Sequence, residues 1–398
     1  MDGATLDSLR VVMVSARYLP YMGGVENHIY QVSRRLAQRG VDVTVLTTDP
    51  RGQWPVQEET EGFHIKRVKA WPANRDYFFA PAIMDILTHG RWDIVHVQSY
   101  HTFVAPLAMS AAQRAHIPYI VTFHGGGHSS RLRNAARGLQ WQMLRPLLAR
   151  AAKLVATARF EIGLYGKALR LPPDRFVFSP NGGDIAANPQ LAQTPSDPAL
   201  LISVGRLEKY KGHHRVIEAM PYILKQRPEV RLRVLGSGPY EQELKELAQR
   251  LGLADRVEIR GVPLAERNAM AETLSRAALV VLMSEYETHP MAALEAIALR
   301  RSVLVADTSG LSELAENGWA RAVPLHSSAE QLASAMLDQL QHPIAPPAIT
   351  LPTWDDCTND LIKLYRETST NTERTPALAG GARVSEYRPQ VRQNSFIR

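Results

Sequence analysis

Two series of apolar strands separated by amphipathic helices run along the chain. LRVVMVSA, Leu9–Ala16, is apolar at consecutive positions and reads as a strand buried on both faces. Behind it Val25, Ile29, Val32 and Leu36 fall at the spacing of one helical face, and Gly40 stands where such a helix stops. VDVTVLTTD, DIVHVQS, YIVTFHG, KLVATA and RFVFSPNG continue the strands. A second series starts at Leu200 with LLISVGR, RLRVLGSG, RVEIRG, ALVVLM and SVLVAD, and its helices include YEQELKELAQRLG and MAALEAIALR. Strands apolar on both faces with helices between them predict parallel sheets covered on both sides, here two doubly wound α/β domains in tandem.

The breaks in this rhythm set the domain boundaries. NPQLAQTPSDP, Asn188–Pro198, is rich in Pro, Gln, Ser and Thr and reads as a linker. HPIAPPAITLP, His342–Pro352, is a Pro-rich connector to a last helix, TWDDCTNDLIKLYRE. From about Ser369 periodicity is lost, which predicts a mobile tail. The expected division is therefore 1–190, 199–352, a helix over 353–368 and a tail over 369–398.

Composition narrows the class. A length of 398 residues suits two or three domains. Apolar residues at 45% and charged residues at 21% are an ordinary globular mix. No apolar run approaches the roughly 20 residues that span a bilayer, and MDGATLDSLR has no signal-peptide pattern. The single cysteine, Cys357, excludes an internal disulfide and fits a reducing compartment. A cytoplasmic protein is expected.

The net charge of +7 is unevenly placed: Ile94–Phe160 holds no Asp or Glu but seven Arg and Lys153, which attracts anions or anionic surfaces. Within it SSRLRNAARGLQWQMLRPLLARAAK, Ser129–Lys153, sets Leu132, Ala136, Leu139, Met143 and Leu147 on one face and Arg133, Arg137 and Arg145 on another. The preferred reading is a cover helix with a core face and a solvated face. The other is peripheral contact with an anionic membrane. No nucleic-acid partner is expected.

In open α/β sheets, ligands bind beyond the carboxyl ends of the strands, so the loops there carry the candidate chemistry. Gly23 and Gly24 open the first helix, where a phosphate can approach the backbone; a purely conformational role is the alternative. Arg206 and Lys211, in GRLEKYKGHHR, are two cations at one strand end and suit a diphosphate, unless both are merely solvated. LGSGPY lacks the third glycine of a dinucleotide fingerprint and is explained by a tight turn, so no nicotinamide cofactor is expected. His124 ends a strand before three glycines, and is either structural or a ligand contact. Asn181, in SPNGGD, is a turn former that can also face the acceptor side.

SEYETHPMAALEA, Ser284–Ala296, carries three carboxylates. Glu285 reads as an outlying charge. Glu287 lies in the loop after a strand, with Thr288 as N-cap and Pro290 in the first helical turn. Glu295 sits on an otherwise apolar helix, where a carboxylate needs a partner. Ribose hydroxyls suit Glu295, and sugar hydroxyls suit Glu287.

GGVE, HG at His124, PNGGD, GRLEKYKG, LGSGP, SEYETHPMAALEA and SGLSELAENG, in this order and spacing, resemble the family 4 retaining glycosyltransferases. The match spans about Val11 to Glu367. The resemblance implies the GT-B fold, two Rossmann-like doubly wound domains facing a central cleft. It implies that Arg206 and Lys211 grip the diphosphate of a nucleotide-diphospho-sugar, that Glu295 accepts from its ribose and that Glu287 touches its sugar. Gly23 and Gly24 then approach the phosphates from the other domain, and His124 lies near the transferred sugar and acceptor. Pro290 has no N–H, so backbone contacts to the sugar fall to Met291 or Ala292. The implied reaction is metal-independent and retaining, with no cofactor and no protein nucleophile. The donor is a UDP-sugar in preference to GDP-mannose, and the acceptor is a hydroxyl of a glycan, a lipid-linked glycan or a small metabolite. The last helix crosses back onto the first domain. A GT-B-type nucleotide-sugar epimerase and a non-catalytic sugar-nucleotide-binding subunit are the alternatives.

Overall fold

The computed structural model describes residues 9–21, 23–73, 78–125, 131–183, 189–261 and 267–373, with the side chains of 131–136, 189, 267, 268 and 371–373 outside that description. The first sheet is built from β1 (Arg10–Val14), β2 (Asp42–Thr48), β3 (Gln57–Thr60), β4 (Phe63–Val68), β5 (Ile94–Gln98), β6 (Tyr119–Phe123), β7 (Lys153–Ala156) and β8 (Phe176–Phe178), in the order β3-β4-β2-β1-β5-β6-β7-β8. Only β3 is antiparallel to its neighbour. Helices α1 (Gly24–Gln38), α2 (Ala82–His89), α3 (Val104–Arg114), α4 (Arg131–Leu148) and α5 (Arg159–Leu169) belong to this half. They form two apolar layers, one on each side of the sheet.

The second sheet is wholly parallel. Its strands are β9 (Asp197–Val204), β10 (Arg231–Leu235), β11 (Val257–Arg260), β12 (Ala277–Leu282), β13 (Ser302–Ala306) and β14 (Arg321–Val323), in the order β11-β10-β9-β12-β13-β14. Around it lie α6 (His213–Leu224), α7 (Glu241–Arg250), α8 (Arg267–Ser275), α9 (Met291–Ala298), α10 (Ser309–Glu316) and α11 (Ala329–Gln341). These are the two Rossmann-like halves of a GT-B architecture.

Several details differ from the sequence expectation. The β3–β4 hairpin and the three-residue β14 carry too little apolar periodicity to be read from sequence. In the segment expected as a linker, Pro189–Gln193 forms a short 3-10 turn and Asp197 already pairs with Ala277; Asn188 lies outside the described residues. The last helix, α12 (Trp354–Glu373), runs past Ser369, where a tail was expected, and residues 374–398 lie outside the description.

Helix α12 packs on the first half. Trp354, Leu361 and Tyr365 share a core with Val11, Ile29 and Leu36. Tyr365 Oη meets His96 Nδ1 at 2.6 Å, and Asp355 pairs with Arg35 and Arg39. Cys357 is buried here, and burial pushes its thiol up to about 12.

Of the apolar stripe assigned to the core face of α4, Leu147 packs half-buried against the core and the described part before it faces out. Leu144 and Leu148 are buried, whereas Leu139 and Met143 are 67% and 71% exposed. The side chains of Leu132, Arg133 and Ala136 lie outside the description, as do Ser129 and Ser130.

The two halves touch where β6 and β12 end. A Cβ on Gly125 would overlap the Tyr286 hydroxyl and the Glu161 carboxylate, so glycine lets the 286–288 loop close against the first half. Arg137 stands over the Tyr286 ring at 5.9 Å, and Phe160 N–H donates to Glu313 Oε1 at 2.5 Å. Glu161 is fully buried; it accepts from the backbone N–H groups of Gly125, Thr157 and Ala158 and from the Thr157 hydroxyl. Burial outweighs these donors and raises its carboxyl from 4.5 to about 7.

A carboxyl that titrates higher in the folded chain favours folding at low pH, and that advantage is lost as pH rises from about 4.5 to about 7. A shift of this size is worth roughly 3 kcal/mol once the group is fully ionised. Glu161→Gln removes the ionisation, so its thermal stability relative to wild type is expected to improve between pH 4.5 and pH 8. A difference between the two that does not change with pH contradicts this assignment.

Candidate active site

The site grows from two loops at the carboxyl edge of the second sheet. After β9 the chain turns through Gly205 and Arg206, forms a 3-10 turn at Lys209–Lys211 and enters α6 through Gly212, whose φ is 72°. A Cβ on Gly212 would collide with the Met283 carbonyl at the end of β12. Glycine therefore lets the β9 loop lie directly on the β12 loop, and Glu285 N–H donates to Tyr210 O at 2.8 Å across this contact.

That contact brings Lys211 and Glu287 together. Their Nζ and Oε1 atoms are 2.7 Å apart, and each side chain is only 14% exposed. Ser284 Oγ donates to the same Oε1 at 2.8 Å. The Glu287 backbone is held as firmly, since its N–H donates to Ser309 Oγ at 2.8 Å and its carbonyl accepts from Gly310 N–H at 3.0 Å. Burial works against the Lys211 ammonium, but the adjoining Glu287 carboxylate prevails and raises its pKa.

Arg206 lies beside this pair on the same loop, more exposed, bonded to Glu208 at 2.6 Å and to the Tyr210 hydroxyl at 3.4 Å. Its backbone is fixed by His213, which burial holds neutral with a pKa of about 4. His213 Nε2 donates to the Arg206 carbonyl at 3.3 Å, which leaves Nδ1 to accept from the Ser203 hydroxyl at 2.8 Å. The LGSG turn serves this same loop: Leu207 N–H donates to Ser237 O, and Tyr240 N–H donates to Leu207 O.

The first half faces these cations with the start of α1. Space around Gly24 is open, while the Glu26 side chain folds over Gly23. Burial pushes the Glu26 carboxyl up, and its own backbone N–H, Arg17 and Arg206 oppose this without reversing it. Arg206 of one half therefore lies within electrostatic reach of α1 of the other.

The loop before α9 departs from the expected capping. The helix begins at Met291 with Pro290 at the N-cap position, and Thr288 lies outside it. Met291 N–H donates to His289 O at 2.8 Å, so that amide is already engaged. Glu295 is buried among Ala293, Leu294, Ala296 and Ile297, as the apolar helix implies. Glu285 is an exposed charge, 3.6 Å from Arg215.

His124 belongs to a buried group of rings, with the half-buried Asn181 bonded to it, that the motifs alone did not reveal. His124 Nε2 lies 2.7 Å from Gln98 Oε1, and burial holds its pKa well below the ordinary histidine value. Its ring meets His28 edge-on at 4.8 Å. His28 Nδ1 donates to Asn181 Oδ1 at 2.8 Å, and burial holds this histidine at about 4. His289, on the loop that carries Glu287, is lowered by burial to about 4, with the Asn181 backbone opposing this only in part. Asn181 thus holds an α1 histidine. His28 was not among the residues expected at the site; its place one helical turn past Gly24 is the signal that could have found it.

Among the described residues no group of three His, Cys, Asp or Glu is placed to hold a metal ion. No described helix is long and apolar enough to cross a membrane.

Known proteins share this fold. Residues 22–187 match the model of Glycosyltransferase Family 4, and residues 184–348 match that of Glycosyl transferases group 1. A glycogen synthase of Mycobacterium tuberculosis is 28% identical over 370 residues, covering 85% of this chain and 87% of the relative. A GDP-mannose:cellobiosyl-diphosphopolyprenol alpha-mannosyltransferase of Xanthomonas oryzae is 26% identical over 317 residues, covering 77% and 81%. Among solved structures, sucrose-phosphate synthase from Thermosynechococcus elongatus aligns with a TM-score of 0.72 at 20% identity, over 91% of this chain and 100% of that one. HepE of Anabaena, in complex with UDP and glucose, aligns with a TM-score of 0.68 at 15% identity, over 90% and 99%. With both halves matched and the GT-B fold in place, the chain belongs to the group 1, family 4 glycosyltransferases.

Proposed function

We propose that this glycosyltransferase takes a sugar from a UDP-sugar and transfers it, with retention and without a metal, to a hydroxyl acceptor. The observation that carries the reading is the Lys211–Glu287 pair, an ammonium and a carboxylate held at the carboxyl edge of the second sheet. When a donor enters, Lys211 and Arg206 take its diphosphate, Glu287 takes hydroxyls of its sugar and Glu295 takes its ribose. Gly24 lets the α1 N-terminus, with its positive dipole end, approach the phosphates. The Ala292 amide supplies the backbone contact that Pro290 and Met291 do not.

The leaving diphosphate gains charge as the glycosidic bond breaks, and the two cations stabilise it there. The acceptor hydroxyl attacks from the same face and gives its proton to the departing phosphate oxygen. His124 is a poor base, because burial disfavours the imidazolium that proton uptake would form and its Nε2 is engaged with Gln98. Uridine is favoured because HepE, of the same fold, binds UDP; the Xanthomonas relative's name keeps GDP-mannose as the competitor. An epimerase returns an altered donor and a binding subunit returns it unchanged, so product analysis separates both from transfer.

Release of nucleoside diphosphate from UDP-glucose, UDP-galactose, UDP-N-acetylglucosamine and GDP-mannose tests the reading. Turnover is expected with a UDP-sugar. Lys211→Ala and Glu287→Ala are each expected to lower kcat/KM by about 100-fold or more, with unchanged circular dichroism. Near-normal turnover in either variant overturns the assignment.

The exposed Leu139 and Met143 on α4, with Arg145 and Arg150 exposed near its end, favour peripheral contact with an anionic bilayer over a purely solvated helix. Sedimentation with phosphatidylglycerol vesicles at low salt is expected, and Leu139→Ser/Met143→Ser is expected to abolish it. A wild-type protein that stays in the supernatant ends this part of the proposal.

A further inference from the structure

Glu161 lies in the first turn of α5 and is fully buried. Its Oε2 accepts from Thr157 N–H at 2.9 Å, from the Thr157 hydroxyl at 3.2 Å and from Ala158 N–H at 3.3 Å. A glutamate in a first turn caps its own helix in this way. Capping accounts neither for the complete burial nor for the place of Oε1.

Oε1 sits where the two halves meet. It accepts from Gly125 N–H at 3.2 Å. A Cβ on Gly125 would lie 2.6 Å from this oxygen, 2.4 Å from Tyr286 Oη and 3.0 Å from Thr288 Oγ1. One oxygen from α5 and two from the loop after β12 therefore surround a single point beside the end of β6. The Phe160 ring meets the Tyr286 ring edge-on at 6.0 Å, and Phe160 N–H donates to Glu313 of α10. Between Tyr286 and Thr288, Glu287 reaches Lys211 in its own half. The residues on either side of Glu287 thus rest on the first half while its carboxylate serves the second.

We propose that Glu161 is a positioning residue for the donor site: its uncharged carboxyl lets the loop that carries Glu287 close on the first half, and its ionisation loosens that closure. The role rests on the reading of Lys211 and Glu287 as donor ligands, but the closure does not.

The direction follows from what covers the carboxyl. Burial raises it to about 7, against the backbone donors and the Thr157 hydroxyl. Tyr286 and Thr288 supply part of that cover and leave when the halves part. The neutral form therefore favours closure, and this preference is lost as pH rises through about 7. Facing Glu161 are Tyr100, Tyr165 and Tyr286, whose hydroxyls burial raises. Burial lowers His124, next to Gly125, and the Arg137 cation stands over the Tyr286 ring at 5.9 Å. None of the tyrosines, nor His124, changes charge near pH 7.

Small-angle X-ray scattering and donor kinetics of the full-length protein at pH 6 and pH 9 test this. The wild type is expected to have a larger radius of gyration at pH 9. Glu161→Gln, which cannot ionise, is expected to have the same radius at both. The donor is whichever of UDP-glucose, UDP-galactose, UDP-N-acetylglucosamine and GDP-mannose is turned over. Its KM is expected to rise about tenfold from pH 6 to pH 9 in the wild type, with kcat changing less, and to stay level in Glu161→Gln. Melting temperatures at both pH values confirm that both proteins are folded. A wild-type radius that does not change, or a KM in Glu161→Gln that follows the wild-type pH dependence, overturns the proposal. Absence of nucleoside diphosphate release by the wild type from all four donors sinks the donor reading instead, and leaves the scattering to decide on the closure.

Discussion

The structure around the site depends on one ion pair. Lys211 and Glu287 come from loops after different strands, and they meet because Gly212 lets the β9 loop rest on the Met283 carbonyl. Two charges removed from water stabilise a fold only when their remaining bonding capacity is filled. Here Ser284 fills part of it, and Ser309 and Gly310 fix the Glu287 backbone. Removing either partner leaves a mostly buried charge alone, so the apo protein has a reason of its own to keep both. In the proposed function the same pair offers an incoming donor an ammonium for its phosphates and a carboxylate for its hydroxyls.

Neutrality elsewhere complements this charge. His28, His124, His213 and His289 are all held below their ordinary pKa by burial. His213 and His28 act as neutral hydrogen-bonding spacers: His213 orients the Arg206 carbonyl, and His28 holds Asn181. Proton transfer in the proposed reaction then falls to the substrates. Helix α12 and the Gly125–Tyr286 contact hold the two halves in relation to each other, which a site assembled from both requires.

Much of the fold was legible because parallel strands buried on both faces are short apolar runs with little else in the chain resembling them. β3, QEET, has no such signature and becomes a strand only by pairing with β4. Helix α4 carries two overlapping apolar stripes. Periodicity shows that stripes exist, but packing decides which is buried, and Leu144 and Leu148 were chosen over Leu139 and Met143. The glutamates and cations of the site were visible as charges in apolar or strand-end settings. Glu161 was not, because its donor Gly125 and its neighbour Tyr286 come from loops after β6 and β12. The engaged amide of Met291 was equally hidden, since it depends on the turn that His289 and Pro290 adopt.

The central claim is that Lys211 and Glu287 hold each other until a donor separates them. Calorimetric titration of the sugar-free nucleoside diphosphate tests this most directly, because it offers phosphates to Lys211 but no hydroxyls of a transferred sugar to Glu287. Lys211→Met is predicted to weaken binding at least tenfold, whereas Glu287→Gln, which releases Lys211, is predicted to strengthen it while impairing turnover of the intact donor. Unchanged affinity in Lys211→Met, or weaker diphosphate binding in Glu287→Gln, contradicts the account.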